Sequence, residues 1–248
     1  MKRKRIITVG GLGLVLAAAF LLYWFYFSTP EAFPVKEELV NQINLVFPDA
    51  SPKTIQDTVF LDDQHVFVPF ITKSNEYGVS YWAWERHKWQ AINIDTVGEP
   101  RLWRVDKNDP ASYYFVWNIH PSDSISKMKF YFVRDRAFHV QGGVSSYTPK
   151  IQMEKEEITQ GKSYGIMKLP NEWITTMTSI QKAESASQPD LFSSIFPRGN
   201  MYFAFTPFHE SGEEASMMNS VNGNGYQNGD ITAEFIIYMN QLEVPKEE

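Results

Sequence analysis

Two tryptophans, Trp82 and Trp84, have the side-chain type and spacing of a binding surface. Side chains alternate between the two faces of a strand, so a strand here places both indole rings on one face and Val79, Tyr81 and Ala83 on the other. An exposed pair of flat apolar rings could stack on a sugar, a peptide or a membrane surface, whereas a buried pair would belong to a β core. We therefore take Trp82 and Trp84 as candidate ligand-binding residues, with the core as the alternative.

The histidines do not have the spacing of a metal site. Asp62, Asp63 and His65 are close in sequence, but two aspartates before a strand are ordinary turn chemistry. No His-Glu-x-x-His motif occurs in the sequence. The five histidines are scattered: His65, His87, His120, His139 and His209. We predict no metal site among them.

An asparagine- and glycine-rich segment, residues 222–230, offers oxygen ligands of the kind that calcium binds. A calcium loop that began at Asn224 would have Tyr226 at its third position and Phe235 in place of the final glutamate. The match fails, and the composition predicts a loop of flexible turns instead. We expect neither metal nor other cofactors in this chain.

No catalytic motif is evident in the sequence. A Ser-x-x-Lys pattern occurs at Ser179–Lys182, but the companion motifs of penicillin-recognising enzymes are missing. The chain has no cysteine, which excludes thiol catalysis and disulfides. A pair of catalytic carboxylates stays open as an alternative, because the fold sets their spacing and 29 acidic residues offer many pairs. We therefore predict no catalytic residue.

The charge is distributed unevenly along the chain. Lys2, Arg3, Lys4 and Arg5 precede an apolar run, and the net charge of the whole chain is −6. Without those four, 19 basic and 29 acidic residues remain. An acidic domain repels phosphate backbones, so we expect no nucleic-acid partner.

Residues 6–27 form an uncharged, largely apolar run that predicts a transmembrane helix. At about 1.5 Å per residue such a helix is roughly 33 Å long, close to a hydrocarbon core of about 30 Å. The positive-inside rule keeps the basic residues 1–5 in the cytoplasm and places the rest of the chain outside. The lipid bilayer is thus a predicted partner of residues 6–27.

A cleaved signal peptide is the competing interpretation of this run. Ala17, Ala18 and Ala19 offer small residues after an apolar stretch of suitable length. Cleavage there would leave residues 20–27, an apolar tail, as the new N-terminus. Because such a tail belongs in lipid, we favour the uncleaved anchor.

Beyond a connector at residues 28–34, the pattern predicts a mainly β, α+β domain over residues 35–248. Short β-rich runs separated by turn residues follow one another, which indicates an antiparallel β-meander folded as a sandwich or open barrel. Two helices, predicted at 35–47 and 170–183, pack on it. Gly-Gly near residue 145 marks a candidate sub-boundary, and we favour one domain. The predicted strands cover residues 57–62, 65–72, 77–86, 88–95, 101–106, 112–119, 126–134, 137–141, 149–158, 163–169, 201–208 and 231–239.

One anchor followed by a cysteine-free exported domain resembles the layout of many small envelope proteins of Gram-positive bacteria. This is a resemblance of architecture rather than of motif. It implies a single-pass cell-membrane protein with an extracytoplasmic domain. Our leading hypothesis is a non-enzymatic module that binds an envelope protein or glycan. The alternatives are an envelope hydrolase with paired carboxylates and a purely structural envelope protein.

Overall fold

The computed structural model describes residues 11–20, 23, 29–141, 144–159, 161–187, 201–228 and 233–240. Strands dominate these residues, and nearly all strand pairs are antiparallel. The prediction of a mainly β fold with antiparallel sheets is therefore confirmed.

Two α-helices follow residue 30 in the described part of the chain, α1 (Lys36–Val46) and α2 (Asn171–Ser187). The strands, in chain order, are β1 (Pro52–Ile55), β2 (Val59–Phe60), β3 (His65–Thr72), β4 (Tyr77–Glu85), β5 (Lys88–Asp95), β6 (Arg101–Arg104), β7 (Tyr113–Asn118), β8 (Lys127–Arg134), β9 (Ala137–Gln141), β10 (Val144–Thr148), β11 (Ile151–Ile158), β12 (Tyr164–Lys168), β13 (Met201–Phe208), β14 (Gly225–Gln227), β15 (Ala233–Phe235) and β16 (Ile237–Tyr238).

The strands form four sheets. The first sheet has the order β1-β3-β4-β5-β14, with β2 also paired to β3. The second has the order β12-β7-β6-β15, and the third has the order β11-β8-β13-β16. Strands β9 and β10 form a two-stranded sheet of their own. Strands β13 and β16 run parallel, a departure from the antiparallel pattern.

Hydrophobic clusters join the three larger sheets face to face. Phe67 and Tyr81 of the first sheet share a cluster with Trp103 of the second. Phe115 of the second sheet lies 4.8 Å from Phe130 of the third, measured between ring centres, within the largest cluster. Burial of these aromatic side chains is what stabilises a core without disulfides.

Helix α1 covers the outer face of the first sheet. Its residues Leu39 and Ile43 are fully buried against that face, as their helical spacing predicts. Helix α2 packs in the largest cluster through Trp173, Met177 and Ile180. Both predicted helices are therefore present and packed on the sheets.

Only part of the predicted anchor lies within the described residues. Residues 11–20 are helical, and the rest of 6–27, apart from Tyr23, lies outside the described residues. In the described ranges no helix combines the length and apolarity that crossing a membrane requires. The transmembrane helix stays a prediction.

Three short strands were not predicted, namely β1, β10 and β14. Strand β14 lies in the asparagine- and glycine-rich segment expected to be a loop. Tyr226 of β14 pairs with Ile94 of β5, and its ring stacks on Phe47 at the end of α1. Tertiary pairing thus overrides the local turn preference of this segment.

Several predicted strands have different bounds in the structure. The strand predicted at 57–62 is reduced to the two residues of β2. The run predicted at 231–239 forms two short strands, β15 and β16, and residues 229–232 lie outside the described ranges. The candidate boundary near residue 145 falls inside the β9–β10 hairpin, where Ser145 pairs with Val140. One domain or two stays a prediction.

Candidate functional site

A cleft of about 340 Å³ opens between the loop after β7 and the loop before β12. Concave sites that bind small ligands have volumes of roughly 300–1,000 Å³. The cleft is at the small end of that range. It is lined by Ile119, His120, Pro121, Ser124, Ile125, Thr159, Gly161, Lys162 and Ser163.

Hydrogen bonds hold the two loops together. The amide of Ile119 donates to the carbonyl of Ser163 over 2.7 Å. On the other side of the cleft, the hydroxyl of Thr159 donates to the carbonyl of Ile125 over 2.9 Å. Because both loops are tied directly to strand ends, the walls of the cleft are preorganised.

A polar network behind the cleft fixes Ser163. The Ser163 hydroxyl donates to Oδ1 of Asn118 and accepts from Nε2 of Gln56, at 3.0 and 2.7 Å. Asn118 is fully buried, and its amide nitrogen donates to Gln56 and to the carbonyls of Phe70 and Gly78. These bonds connect the first and second sheets, which explains why a polar residue is stable there.

His120 forms one rim of the cleft with a defined ring orientation. Its Nδ1 accepts from the backbone amide of Ser122 at 3.1 Å, and its Nε2 lies 3.1 Å from the side-chain amide of Asn75. The Asn75 atom that faces Nε2 is Nδ2, and the donor and acceptor roles of this pair depend on the imidazole tautomer. The edge of the ring also contacts Tyr77, with ring centres 4.9 Å apart.

Asp123 holds the loop that carries His120 in place. It is buried, and its Oδ1 accepts from both the backbone and the side-chain amide of Asn219, at 3.0 and 2.8 Å. Its Oδ2 accepts from the hydroxyl of Ser220, which in turn accepts from the amide of His120. This carboxylate is therefore fully engaged in positioning the loop.

The cleft combines apolar walls, hydroxyl groups and one ammonium group. Lys162 is exposed, and its Nζ lies 5.6 Å from the centre of the Tyr164 ring. Among the described residues of the lining there is no aspartate or glutamate. The hydroxyls of Thr159 and Ser163 already donate their hydrogens to Ile125 and Asn118, so the ammonium of Lys162 is the group that favours a negatively charged ligand, such as a carboxylate or a phosphate.

A second cluster of titratable groups lies inside the fold. The guanidinium of Arg101 donates to Asp95 over 2.7 Å, and both side chains are buried. Burial raises the pKa of Asp95 and of Glu99, against the opposing effect of the nearby Arg101 charge. Burial also raises the pKa of Tyr81. A carboxylate-pair hydrolase uses one carboxyl group with a raised pKa and one ionised carboxylate in a cleft, and neither Asp95 nor Glu99 lines this one.

Trp82 and Trp84 lie in the cluster between the first sheet and α1. Trp82 is 0% exposed and Trp84 is 8% exposed. The predicted alternation holds, because Tyr81 and Val79 belong to the cluster on the opposite face. Burial favours the core alternative, and the ligand-binding hypothesis for the two tryptophans stays a prediction that requires movement of α1.

The remaining sequence candidates have local roles in the structure. Nδ1 of His65 lies 2.9 Å from Oδ1 of Asp62, and the Gln64 amide donates to the same oxygen. Partial burial raises the pKa of Asp62, but the hydrogen bonds from His65 and Gln64 outweigh it, so that the pKa is lowered. The Ser179 hydroxyl donates to the carbonyl of Thr175 within α2. Within the described ranges, no three His, Asp or Glu side chains are grouped as metal ligands.

The sequence does not predict the cleft. His120 lacks the spacing of a metal ligand, and Lys162 and Ser163 belong to no motif. The one local sign of the cleft in the sequence is a polar loop after a strand that ends in asparagine, and this pattern is common in proteins. The cleft arises because the β7–β8 and β11–β12 connections, which both cross between the second and third sheets, bring residues 119–125 close to residues 159 and 161–163.

No family model, curated protein or solved structure matches this chain.

Proposed function

We propose that this chain is a membrane-anchored, extracytoplasmic binding module of the bacterial cell envelope. Residues 6–27 are the anchor, and the β-rich domain binds an envelope protein or glycan through the cleft between the β7–β8 and β11–β12 connections. The observation that supports this most directly is the composition of the cleft, with Lys162 beside three hydroxyl side chains and apolar walls.

The ligand group that fits this cleft is small and anionic. Lys162 provides a positive charge and Ser124 a hydroxyl group, whereas the hydroxyls of Thr159 and Ser163 donate within the protein. Ile119 and Ile125 provide an apolar surface for the carbon skeleton next to the charge. A carboxylate or phosphate group of an envelope polymer or of a protein side chain has this chemistry.

The binding test is calorimetric titration of the full-length chain in detergent with inorganic phosphate, a short-chain carboxylate and a neutral sugar. We expect saturable binding of an anion and a roughly tenfold or larger loss in Lys162→Gln, because a hydrogen bond to a charged group contributes about 1.5–3 kcal/mol. Lys88→Gln removes an exposed charge outside the cleft lining and is the matched control. Equal affinities of the two variants would reject the cleft as the binding site.

The anchor and the topology need a separate test. Protease shaving of intact cells should remove a C-terminal tag from the full-length chain, and the mass before shaving should show no cleavage at residues 17–19. A tag that survives in efficiently shaved cells would contradict the extracytoplasmic placement. A mass reduced by the N-terminal segment would instead support the signal-peptide alternative.

A further inference from the structure

Strands β9 and β10 form a two-stranded ribbon that prolongs the hairpin β8–β11. The β8–β11 ladder ends at the pair Arg134 and Ile151, and the β9–β10 ladder begins at Ala137 and Thr148. Two residues intervene on each strand, so the register is the same on both sides of the break. Strand β13 reaches the hairpin only as far as Arg134. In the described part of the chain, no third strand flanks the ribbon.

One face of the ribbon is exposed and, apart from Ser145, apolar. Phe138 and Val140 are two residues apart and so share a face, and Tyr147 pairs directly with Phe138 on the neighbouring strand. Their exposed fractions are 64%, 62% and 66%, respectively. An isolated two-stranded ribbon is only marginally stable in water. This ribbon would therefore be stabilised by a surface that covers its apolar face.

The charge around the ribbon has the opposite sign to that of the chain. Residues 134–150 contain three basic residues and one acidic residue, whereas the chain has a net charge of −6. Arg136 and Lys150 are exposed at the base of the ribbon. Arg134 donates to the carbonyl of Pro149 across the two strands, which joins the base together. The basic residues therefore lie at the base of the ribbon, and the apolar residues lie farther out along it.

We propose that this ribbon inserts its apolar face into the surface of an anionic lipid bilayer. Strands of five residues extend about 16 Å at roughly 3.3 Å per residue, enough to reach the boundary between headgroups and acyl chains. Tyr and Phe rings favour that boundary, and basic side chains at the base meet anionic headgroups. A second copy of the chain is less suitable, because two ribbons face to face would bring their basic groups together.

This inference rests on the proposed anchor, which holds the domain at the bilayer. Contact by the ribbon would fix the orientation of the domain over the membrane and hence the direction in which the cleft opens. The anchor and the ribbon are separate features, so each can fail without the other.

The absence of cysteine allows a single probe to be placed in the full-length chain. Val140→Cys, labelled with an environment-sensitive fluorophore, is reconstituted into vesicles of phosphatidylglycerol and phosphatidylcholine that carry a spin-labelled lipid quencher. Lys155→Cys, at an exposed position of β11 in the same hairpin, is the control. We expect blue-shifted emission and at least threefold stronger lipid quenching at position 140.

The basic residues at the base of the ribbon are tested by removing their charges. Combining Arg136→Gln with Lys150→Gln should reverse both the blue shift and the quenching, whereas combining Lys53→Gln with Lys73→Gln should not.

The possible outcomes distinguish the ribbon proposal from the anchor proposal. Alkali-resistant flotation of the unlabelled chain with the vesicles reports the anchor alone. Flotation with equal quenching at positions 140 and 155 would overturn the ribbon proposal and leave the anchor intact. Quenching at position 140 in a chain that alkali releases would support the ribbon and reject the anchor. A blue shift that depends on protein concentration, without lipid quenching, would assign the face to a second copy and overturn the proposal.

Discussion

Arg101 donates a hydrogen bond to Asp95 over 2.7 Å inside the fold, and its guanidinium also lies 3.5 Å from the centre of the Phe235 ring. Removing one member of a buried ion pair leaves an uncompensated charge. We expect Asp95→Leu or Arg101→Met to lower the free energy of unfolding by about 3–5 kcal/mol each. The measurement is urea unfolding followed by tryptophan fluorescence.

The double variant is the decisive control for this pair. Because both charges are removed together, Asp95→Leu with Arg101→Met should be much closer to the wild type than the sum of the single changes. The half-exposed pair Lys129–Glu154, at 3.4 Å, offers a comparison whose loss should cost at most about 1 kcal/mol. If Asp95→Leu costs no more than Glu154→Ala, the buried pair does not stabilise the fold as we infer.

Glu99 gives the fold a pH dependence of definite sign. Burial raises its pKa above the usual 4.5, so the folded state retains the proton over a pH range in which the unfolded state has lost it. This contribution to stability is present below pH 4.5 and is lost as the pH rises through the folded-state pKa. The free energy of unfolding of Glu99→Gln should therefore fall less with rising pH, directly above 4.5, than that of the wild type.

Unfolding curves at closely spaced pH values test this sign. Asp95 also has a raised pKa and contributes in the same direction, so the wild-type slope should decrease in Glu99→Gln without vanishing. Asp62, with a lowered pKa, contributes stability above pH 3.8 that is lost as the pH falls, and Asp62→Asn is the control of opposite sign. An unchanged slope in Glu99→Gln would show that this carboxyl group is not the source.

The sequence predicted the strands best where alternation was strong. Phe130 and Phe132 alternate with polar or opposite-face residues, and β8 was predicted to within one residue of its observed bounds. Strand β14 could not be predicted, since its stability comes from pairing with β5 rather than from its own residues. The burial of Trp82 and Trp84 depends on α1, about forty residues earlier in the chain, and strand alternation carries no information about that contact.

The cleft could not be predicted for a related reason. Its lining comes from two loops, and loop conformation depends on contacts such as the one between Ile119 and Ser163. Asn118, which fixes Ser163, gives no signal in the sequence because its role requires three oxygen acceptors, on Gln56, Phe70 and Gly78, that are distant in the chain. Periodicity predicts which faces are buried, and it does not predict which loop ends meet.

The turn between β4 and β5 is strained and should accept a stabilising change. Arg86 and His87 both have positive φ, 52° and 62°, although neither is glycine or asparagine. The left-handed region costs most residues about 1–2 kcal/mol, and two-residue hairpin turns of this type prefer Asn-Gly. Arg86→Asn with His87→Gly should raise the free energy of unfolding by about 1 kcal/mol. Lys88→Gly, within β5, should lower it.

Gly165 of β12 is required by its contact with Trp117. A Cβ atom built at position 165 would lie 2.1 Å from Cζ2 of the Trp117 ring. Since Trp117 is only 3% exposed, its ring cannot move into solvent, and Gly165→Ala should destabilise the fold by about 1–3 kcal/mol. Denaturant unfolding measures this loss.

Trp117→Phe tests whether the contact itself is the cause. The phenyl ring lacks the distal indole atoms that a methyl group at position 165 would meet, so Gly165→Ala should cost much less in a Trp117→Phe background than in the wild type. Because Ser163 of the cleft lies two residues before Gly165, anion binding by the double variant reports whether the cleft survives the repacking. An equal cost of Gly165→Ala in both backgrounds would place the strain in the β12 backbone rather than at the tryptophan.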